Sequence, residues 1–134
     1  MRRKFLDTAA LILAVGGQHP LREACRTYLE EAAARRVSLH VSAEAMQELL
    51  YHRMRRSERS DALAVVRDVR AVCHVHSFDD RVVDRMISLV EATPIRGRDA
   101  VHAATAIEAG FTEIVSPDPD FDDVPGLSRR SPAD

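Results

Sequence analysis

The sequence predicts an α/β fold built on a parallel β-sheet that helices cover on both faces. Short apolar runs rich in valine and leucine alternate with longer segments whose apolar residues recur every three or four positions. Strands that alternate with helices in this way form parallel sheets, because successive parallel strands need a long crossover connection. The chain has 134 residues, with no internal repeat and no linker-like stretch, which predicts a single domain over residues 1–134.

The first four elements follow from apolar runs and from the glycines and prolines between them. Residues 3–7 form a short apolar run that predicts a buried strand. Residues 8–15 predict a short helix, which a pair of glycines ends. Apolar residues at helical spacing predict a second helix over 20–36, with a proline at its start. The valine-rich segment 37–41 predicts the second strand.

Serines that precede helical patterns mark the next two helices. Ser42 stands where an N-cap is needed for a helix over 43–56. Ser57 stands in the same relation to a helix that runs to about residue 71. The alternating, valine-containing segment 72–78 then predicts the third strand.

The last third of the chain contains two further helices and one strand. The segment 77–80 (Ser-Phe-Asp-Asp) resembles a capping box and predicts a helix that ends at Ala92. Two glycines bracket a helix over 98–109. The run 113–116 predicts the fourth strand. Prolines, serines and aspartates dominate the remainder, so we expect a loose tail after Leu127.

Composition argues against several classes of protein. The net charge of −2 is no signature of a nucleic-acid-binding protein, and 4% aromatic residues without tryptophan argue against a site built by aromatic stacking. Cys25 and Cys73 are too few for a disulfide framework or a cysteine metal cluster. The longest apolar stretch, residues 9–15, is too short to cross a bilayer. Asp7 interrupts any signal-peptide core early, so we expect a cytoplasmic protein without a membrane partner.

Four carboxylates fall at positions that a parallel sheet brings to one edge. Asp7 ends the first strand and Asp118 follows the fourth. Asp99 lies in the first turn of a helix, and Glu48 lies one turn into the helix after the second strand. Ligands of open α/β sheets bind beyond the carboxyl ends of the strands, so we expect these acids to converge on one cleft. Sites built from oxygen ligands alone favour hard cations, which predicts Mg²⁺ or Mn²⁺.

Each acid also has a purely structural interpretation, and these alternatives stay open at the level of sequence. Asp7 and Asp99 both suit the start of a helix, where a carboxylate caps the backbone or complements the helix dipole. The aspartate-rich run 118–123 is typical of a solvated loop. Glu44 lies one turn before Glu48 on nearly the same helix face. We expect Glu48 to be the site residue, because the dipole already accounts for an acid in the first turn.

Four segments resemble the motifs of the PIN-domain family in order and spacing, across nearly the whole chain. They are Phe5-Leu6-Asp7-Thr8-Ala9-Ala10-Leu11, Ser42 followed by Glu48-Leu49-Leu50, Gly97-Arg98-Asp99-Ala100-Val101-His102-Ala103-Ala104-Thr105-Ala106, and Ile114-Val115-Ser116-Pro117-Asp118-Pro119-Asp120-Phe121-Asp122. The third and fourth segments are the specific ones. By size, the chain is most similar to the VapC-type toxins of type II toxin–antitoxin pairs.

The resemblance implies a three-layer α/β/α fold with a central parallel sheet of four or five strands. It also implies a Mg²⁺-dependent endoribonuclease that cuts single-stranded regions of RNA, often tRNA or rRNA. Members of the family are held inactive by a VapB-type antitoxin. The implied assemblies are a homodimer or a toxin–antitoxin hetero-oligomer.

Residue by residue, the resemblance extends to the site. The acidic quartet of the family, which binds the metal and carries catalysis, is matched by Asp7, Glu48, Asp99 and Asp118. Asp120 is a further candidate ligand, and Thr8 and Ser116 match hydroxyl positions that support the acids. His102 lies on the same helix face as Asp99, and we interpret it as a packing or supporting residue rather than a general base.

Arginines lie close to the acidic positions and supply candidate contacts to a partner. They are Arg53, Arg55, Arg56, Arg96 and Arg98. The sequence leaves open whether they follow the phosphates of RNA or contact an acidic segment of an antitoxin. For the first three, a solvated helix end is an equally good explanation. The alternative function is that of a catalytically silent PIN-like module that binds RNA or protein.

Overall fold

Five parallel strands form the centre of the computed structural model, which describes all 134 residues. They are β1 (Arg2–Phe5), β2 (Val37–Ser42), β3 (Cys73–His76), β4 (Glu113–Val115) and β5 (Ser128–Arg130). β1 pairs with β2, β2 with β3, and β4 with β5, always in parallel. A bridge between Leu6 and Val115 joins the two groups, so the order across the sheet is β3-β2-β1-β4-β5. The predicted α/β class is confirmed.

Six α-helices connect the strands. They are α1 (Thr8–Val15), α2 (Arg22–Ala33), α3 (Ala43–Met54), α4 (Arg59–Val72), α5 (Asp80–Ala92) and α6 (Gly97–Glu108), and a 3-10 turn over Pro119–Phe121 follows β4. Apolar side chains of α1 to α4 pack on one face of the sheet, and those of α5 and α6 pack on the other. The molecule therefore has three layers.

The sheet separates two cores that are equal in size, with 13 buried residues each. Consecutive residues of a strand point to opposite faces, so Phe5 belongs to the core under α5 and α6, while Leu6 belongs to the core under α1 to α4. Alanines dominate the buried face of α6, which is buried from Ala100 to Ala106. Small side chains let a helix pack close to the sheet, and this packing fixes the first turn of α6, which carries Asp99.

Helix capping follows the sequence in part. Ser42 caps α3 as expected, because its hydroxyl accepts a hydrogen bond from the backbone N–H of Ala45 at 3.0 Å. Ser57 is not the cap of α4: its hydroxyl donates backwards to the carbonyl of Arg53 at 2.9 Å, and α4 begins at Arg59. The cap of α5 is Asp79, not Ser77. Two or more hydroxyls or carboxylates near a helix start compete for the same role, which sequence does not resolve.

The end of the chain differs from the expected loose tail. Ser128–Arg130 pair with β4 as the fifth strand. Arg129 donates to Asp122 Oδ1 at 2.7 Å, and Arg130 donates to Glu113 Oε2 at 3.2 Å. The strand is short and polar, and backbone pairing and ion pairs hold it in place. Such a strand lacks the apolar alternation on which sequence prediction depends.

Other differences concern the ends of elements. The helix expected over 20–36 is shorter, because Arg35 adopts a left-handed backbone conformation with φ of 61° just after α2. The third strand is confined to Cys73–His76, the part that pairs with β2. No helix combines the length and the apolar character needed to cross a membrane.

Candidate metal centre

The carboxyl ends of β1 and β4 meet where the candidate site begins. The backbone N–H of Asp7 donates to the carbonyl of Val115 at 3.0 Å. The Ser116 hydroxyl donates to Asp7 Oδ2 at 3.0 Å and accepts from the backbone N–H of Asp118 at 3.0 Å. Ser116 is fully buried, so it fixes the acid after β1 relative to the acid after β4.

Three aspartates from two segments lie together at this edge. Each of Asp99, Asp118 and Asp120 offers a carboxylate oxygen, and these oxygens all lie within 4.8 Å of one another. Asp99 comes from the first turn of α6, and the other two flank the start of the 3-10 turn. Burial, followed by the negative charges of Asp7 and Asp118, raises the pKa of Asp99 to about 6. The protein itself thus leaves this charge without adequate compensation.

The aspartate-rich run after β4 divides by role. Asp118 Oδ1 accepts from the backbone N–H of Asp120 at 2.9 Å, which shapes the 3-10 turn and brings both carboxylates to the cleft. Asp122 points elsewhere and pairs with Arg129 at 2.7 Å. Only part of the run is therefore solvated loop, and Asp120 belongs with Asp99 and Asp118.

Asp7 lies behind this group and is nearly inaccessible, with 4% of its surface exposed. It makes no side-chain capping hydrogen bond to α1, which removes the capping interpretation that the sequence left open. Burial raises the pKa of Asp7, against the opposing effects of His102 and the Ser116 hydroxyl. A buried carboxylate with this environment needs a proton or a cation to be tolerated.

Glu48 lies apart from the three aspartates and is surrounded by donors. Its Oε1 is 2.6 Å from His102 Nε2 and accepts from the Thr8 hydroxyl at 3.2 Å, while its Oε2 accepts from Arg98 at 2.7 Å. Burial acts to raise the pKa of Glu48, but the hydrogen bonds from His102 and Arg98 outweigh it and lower the pKa to about 2. Glu48 is therefore an ion-paired carboxylate in this structure.

His102 is the buried hub of this network, with 2% of its surface exposed. Its Nδ1 lies 2.7 Å from the Ser42 hydroxyl, and its Nε2 lies 4.0 Å from Asp7 Oδ1 as well as close to Glu48. Burial favours the neutral ring, yet the Glu48 hydrogen bond and the charge of Asp7 raise the pKa of His102 overall. The structure thus places His102 as a support of the acids.

Glu44 and Glu48 separate clearly in space. Glu48 reaches His102, whereas Glu44 lines a groove of about 730 Å³ between α3 and α6 and makes no ion pair. We call this feature the α3–α6 groove. Its remaining walls include Gln47, Tyr51, His52, Arg55, Arg56, Arg98 and Val101, with Ile12 contributed by α1. The groove opens directly beside Glu48.

The candidate arginines do not form one surface. Arg55, Arg56 and Arg98 line the α3–α6 groove. Arg96 lines a separate cleft that also contains Asp120. Arg53 lines neither, and its Nε is buried without a hydrogen-bond partner. Sequence reasoning did not single out Tyr51, because one exposed aromatic residue has no signature until the fold places it beside the site.

Comparison with known proteins shows the family to which the chain belongs. The family model described as the PIN domain matches residues 4–127. Ribonuclease VapC7 of Mycobacterium tuberculosis is 39% identical over 122 residues, which cover 89% of this chain and 84% of that protein. Ribonuclease VapC23 of the same organism is 37% identical over 114 residues, which cover 82% of this chain and 88% of that protein.

Solved structures share the fold. The crystal structure of VapBC2 from Rickettsia felis, bound to a DNA fragment from its promoter, contains a chain that superposes with a TM-score of 0.78. The match covers 96% of this chain and 98% of that chain at 17% identity. At this level of identity the likeness concerns the architecture alone.

Proposed function

The chain belongs to the PIN-domain family, and from that premise we propose that it is a Mg²⁺-dependent endoribonuclease, the toxin of a VapC-type toxin–antitoxin pair. Its substrates are single-stranded regions of RNA, such as those of tRNA or rRNA, and it acts in the cytoplasm. The names of its relatives support the activity, since VapC7 and VapC23 are both ribonucleases.

The observation that carries the proposal is the group of uncompensated carboxylates at the sheet edge. Asp99, Asp118 and Asp120 present oxygens within 4.8 Å of one another, and none of the three forms an ion pair. Repulsion among them and with Asp7 raises the pKa of Asp99, after the larger effect of burial. A set of oxygen donors without nitrogen or sulfur suits a hard cation such as Mg²⁺.

These residues fit the ion in chemistry and in placement. Asp99, Asp118 and Asp120 would hold it, with Asp7 directly behind them. Mg²⁺ held there would supply a coordinated water of lowered pKa and would neutralise charge on a phosphoryl oxygen. Glu48 would complete the acidic cleft on the α3 side.

The protein contributes position rather than a nucleophile. Ser116 holds Asp7, and His102 together with Thr8 holds Glu48, so the acids are fixed before substrate arrives. His102 is too deeply buried to reach a phosphodiester, and both of its ring nitrogens already have partners. The arrangement therefore suits in-line attack by water, and the negative charge of the transition state would be balanced by the cation that the carboxylates hold.

We further propose that a VapB-type antitoxin restrains this activity and that the chain assembles as a homodimer or a toxin–antitoxin hetero-oligomer. The solved neighbours support this, because they include VapBC complexes such as that of Rickettsia felis. The exposed arginines of the α3–α6 groove and Arg96 are the candidate contacts to RNA or to an antitoxin.

The test is cleavage of total cellular RNA by the purified chain, with cut sites mapped. We expect defined cuts in single-stranded regions with Mg²⁺ or Mn²⁺ and none in EDTA. Cleavage that persists in EDTA would contradict the metal requirement. RNA binding without cleavage in Mg²⁺ would instead support the alternative, a catalytically silent binding module.

A further inference from the structure

The α3–α6 groove contains an exposed aromatic ring next to the acidic cleft. Tyr51 is 58% exposed, although the other tyrosine of the chain, Tyr28, is partly buried. The ring of Tyr51 belongs to neither core. Large apolar side chains are ordinarily buried. An exposed aromatic ring on the wall of a groove is therefore a candidate surface for a ligand that stacks on it.

The ring of Tyr51 is held in place by a neighbouring arginine. Arg55 donates to the Tyr51 hydroxyl at 2.8 Å, and its guanidinium carbon lies 5.4 Å from the ring centroid. The two residues are one helical turn apart, which brings their side chains together. They form a pair of planar groups whose orientation is fixed before a ligand binds, and this reduces the entropy that binding loses.

Cations mark both ends of the groove. Arg55 and Arg56 lie exposed at one end, and Arg98, with 82% of its side chain exposed, contacts Glu48 at the other. The planar guanidinium groups suit phosphate oxygens. A phosphate chain bound by these groups would run from the end of α3 towards Glu48 and the acidic cleft.

We propose that the α3–α6 groove binds an unpaired RNA nucleotide beside the bond to be cut, with its base stacked on Tyr51 and its phosphates on Arg55 and Arg56. This inference rests on the proposed ribonuclease function and adds a specificity-determining contact to it. Stacking on one aromatic ring tolerates any base, so the subsite selects for an unpaired nucleotide rather than for a sequence. Double-stranded RNA is excluded, because its bases are already stacked.

The lining of the groove favours RNA over a protein segment. A docked amphipathic helix needs a row of apolar anchor sites, spaced as residues i, i+3, i+4 and i+7. Beside Tyr51, the α3–α6 groove offers only Ile12 and Val101 as apolar contacts, and polar or charged side chains make up most of the rest. This composition matches the phosphates, sugar and base of a nucleotide.

Binding of a labelled single-stranded RNA tests the subsite independently of cleavage. The probe is a fluorescein-labelled oligouridylate of about ten nucleotides, measured by anisotropy on the non-cleaving D99N chain. In that background, Y51A should weaken binding about 5- to 150-fold, since one stacked base contributes that much. Y51F keeps the ring but loses the hydroxyl that accepts from Arg55, so it should weaken binding by less than Y51A does.

Abasic probes test the stacked base. An abasic oligomer of the same length should bind D99N more weakly than the oligouridylate does. The affinity ratio between the two probes should be smaller in D99N/Y51A by the factor that Y51A costs, because the two changes remove the same contact. The matched control is F78A, which removes another exposed aromatic side chain, 40% exposed, just before α5 and outside the groove. It should leave affinity unchanged.

The outcomes separate this proposal from the proposed function. If the unmodified chain cleaves RNA but removal of the bases does not couple to Y51A, the nucleotide subsite is wrong and the ribonuclease stands. If Y51A leaves RNA affinity intact but changes the mass of the particle in light scattering, the groove is a protein interface and the proposal is overturned. If D99N shows the coupling but the unmodified chain cleaves nothing, the subsite stands and the ribonuclease fails.

Discussion

The two sides of the acidic cleft shift the pKa of a carboxyl group in opposite directions. On the α3 side, His102, Thr8 and Arg98 surround Glu48 and lower the pKa of its carboxyl to about 2. On the sheet side, burial and then the negative charges of Asp7 and Asp118 outweigh the effect of His102, and the pKa of Asp99 rises to about 6. Ion pairs within the protein balance the negative charge of Glu48 on the α3 side, whereas the three aspartates on the sheet side form no ion pair.

This difference indicates where the proposed cation would bind. Charges that a fold satisfies by itself contribute to its stability, whereas like charges left facing one another reduce it. In the proposed enzyme, Asp99, Asp118 and Asp120 form the part of the cleft that a divalent ion would complete. Glu48 is held in place in advance by groups that belong to the protein. The predictions below act on one side at a time.

The largest effect should follow from the removal of one charge on the uncompensated side. D99N is nearly isosteric but loses the charge that attracts the ion, so cleavage should fall about 1000-fold, or about 4 kcal/mol. Expression of the unmodified chain should slow growth, and D99N should remove that effect. In EDTA the variant should melt no lower than the parent, because it relieves repulsion. A D99N chain that still cleaves RNA would refute the assignment.

On the compensated side, E48Q should reduce cleavage about 100-fold, because it leaves His102 and Arg98 without their anion. Its matched control is E44Q, one turn away in the groove wall. E44Q should reduce cleavage less than tenfold, equivalent to about 1.4 kcal/mol. Steady-state kinetics on one RNA substrate compares the two. The reverse order of effects would mean that Glu44, not Glu48, serves the site.

Divalent metal should stabilise the fold through the uncompensated side. At a free concentration 100-fold above its dissociation constant, a ligand that binds the native state alone adds about 2.7 kcal/mol. Tm should therefore rise in Mg²⁺ or Mn²⁺ relative to EDTA, and the rise should vanish in D99N. A parent chain whose Tm is indifferent to both metals would count against a native metal site.

The smallest effect is a difference in pH dependence between the two sides. The raised pKa of Asp99, about 6 against an ordinary 3.8, means that the folded state keeps a proton that the unfolded state loses. Its contribution to stability is therefore lost as pH rises from about 4 through 6. The lowered pKa of Glu48, about 2 against 4.5, acts in the opposite sense: its contribution is present above pH 4.5 and is lost as pH falls towards 2.

Stability measured against pH in EDTA checks these signs. The difference in unfolding free energy between the parent and D99N should fall as pH rises from about 4 to 6. The difference between the parent and E48Q should grow as pH rises from about 2 to 4.5. Burial lowers the pKa of His40 to about 4, and this contribution is common to all three chains and cancels in the differences. Equal signs in the two difference curves would remove the contrast between the sides.

Most of the fold is predictable because it depends on local patterns. The apolar runs predict β1 to β4, and the spacing of buried side chains predicts the helices between them. Ser42 caps α3 as its position indicates. The failures are of a different kind, since Ser57 has a nearer acceptor at Arg53 and β5 is held by pairing and ion pairs rather than by apolar residues.

From the sequence, the site can be predicted only as far as the positions of the strand ends. The ends of β1 and β4 place Asp7 and Asp118 on one edge without knowledge of any side chain. Whether Asp120 lies with the other acids depends on a 3-10 turn. The role of His102 depends on its contact with Glu48, 54 residues away in the chain. Geometry of this kind arises from packing, which a linear pattern does not record.

The bond between Ser116 and Asp7 has a consequence for the order in which the molecule is made. It joins residues 109 positions apart, and β1 meets β4 through the same long connection. Synthesis proceeds from the amino terminus, so a nascent chain that stops before β4 contains Asp7, Glu48 and Asp99 but lacks the edge that unites them. Closing so long a loop costs little more entropy than closing one half its length. The acidic cleft therefore assembles only after β4 has been synthesised and has met β1, although Asp7 is among the first residues to be made.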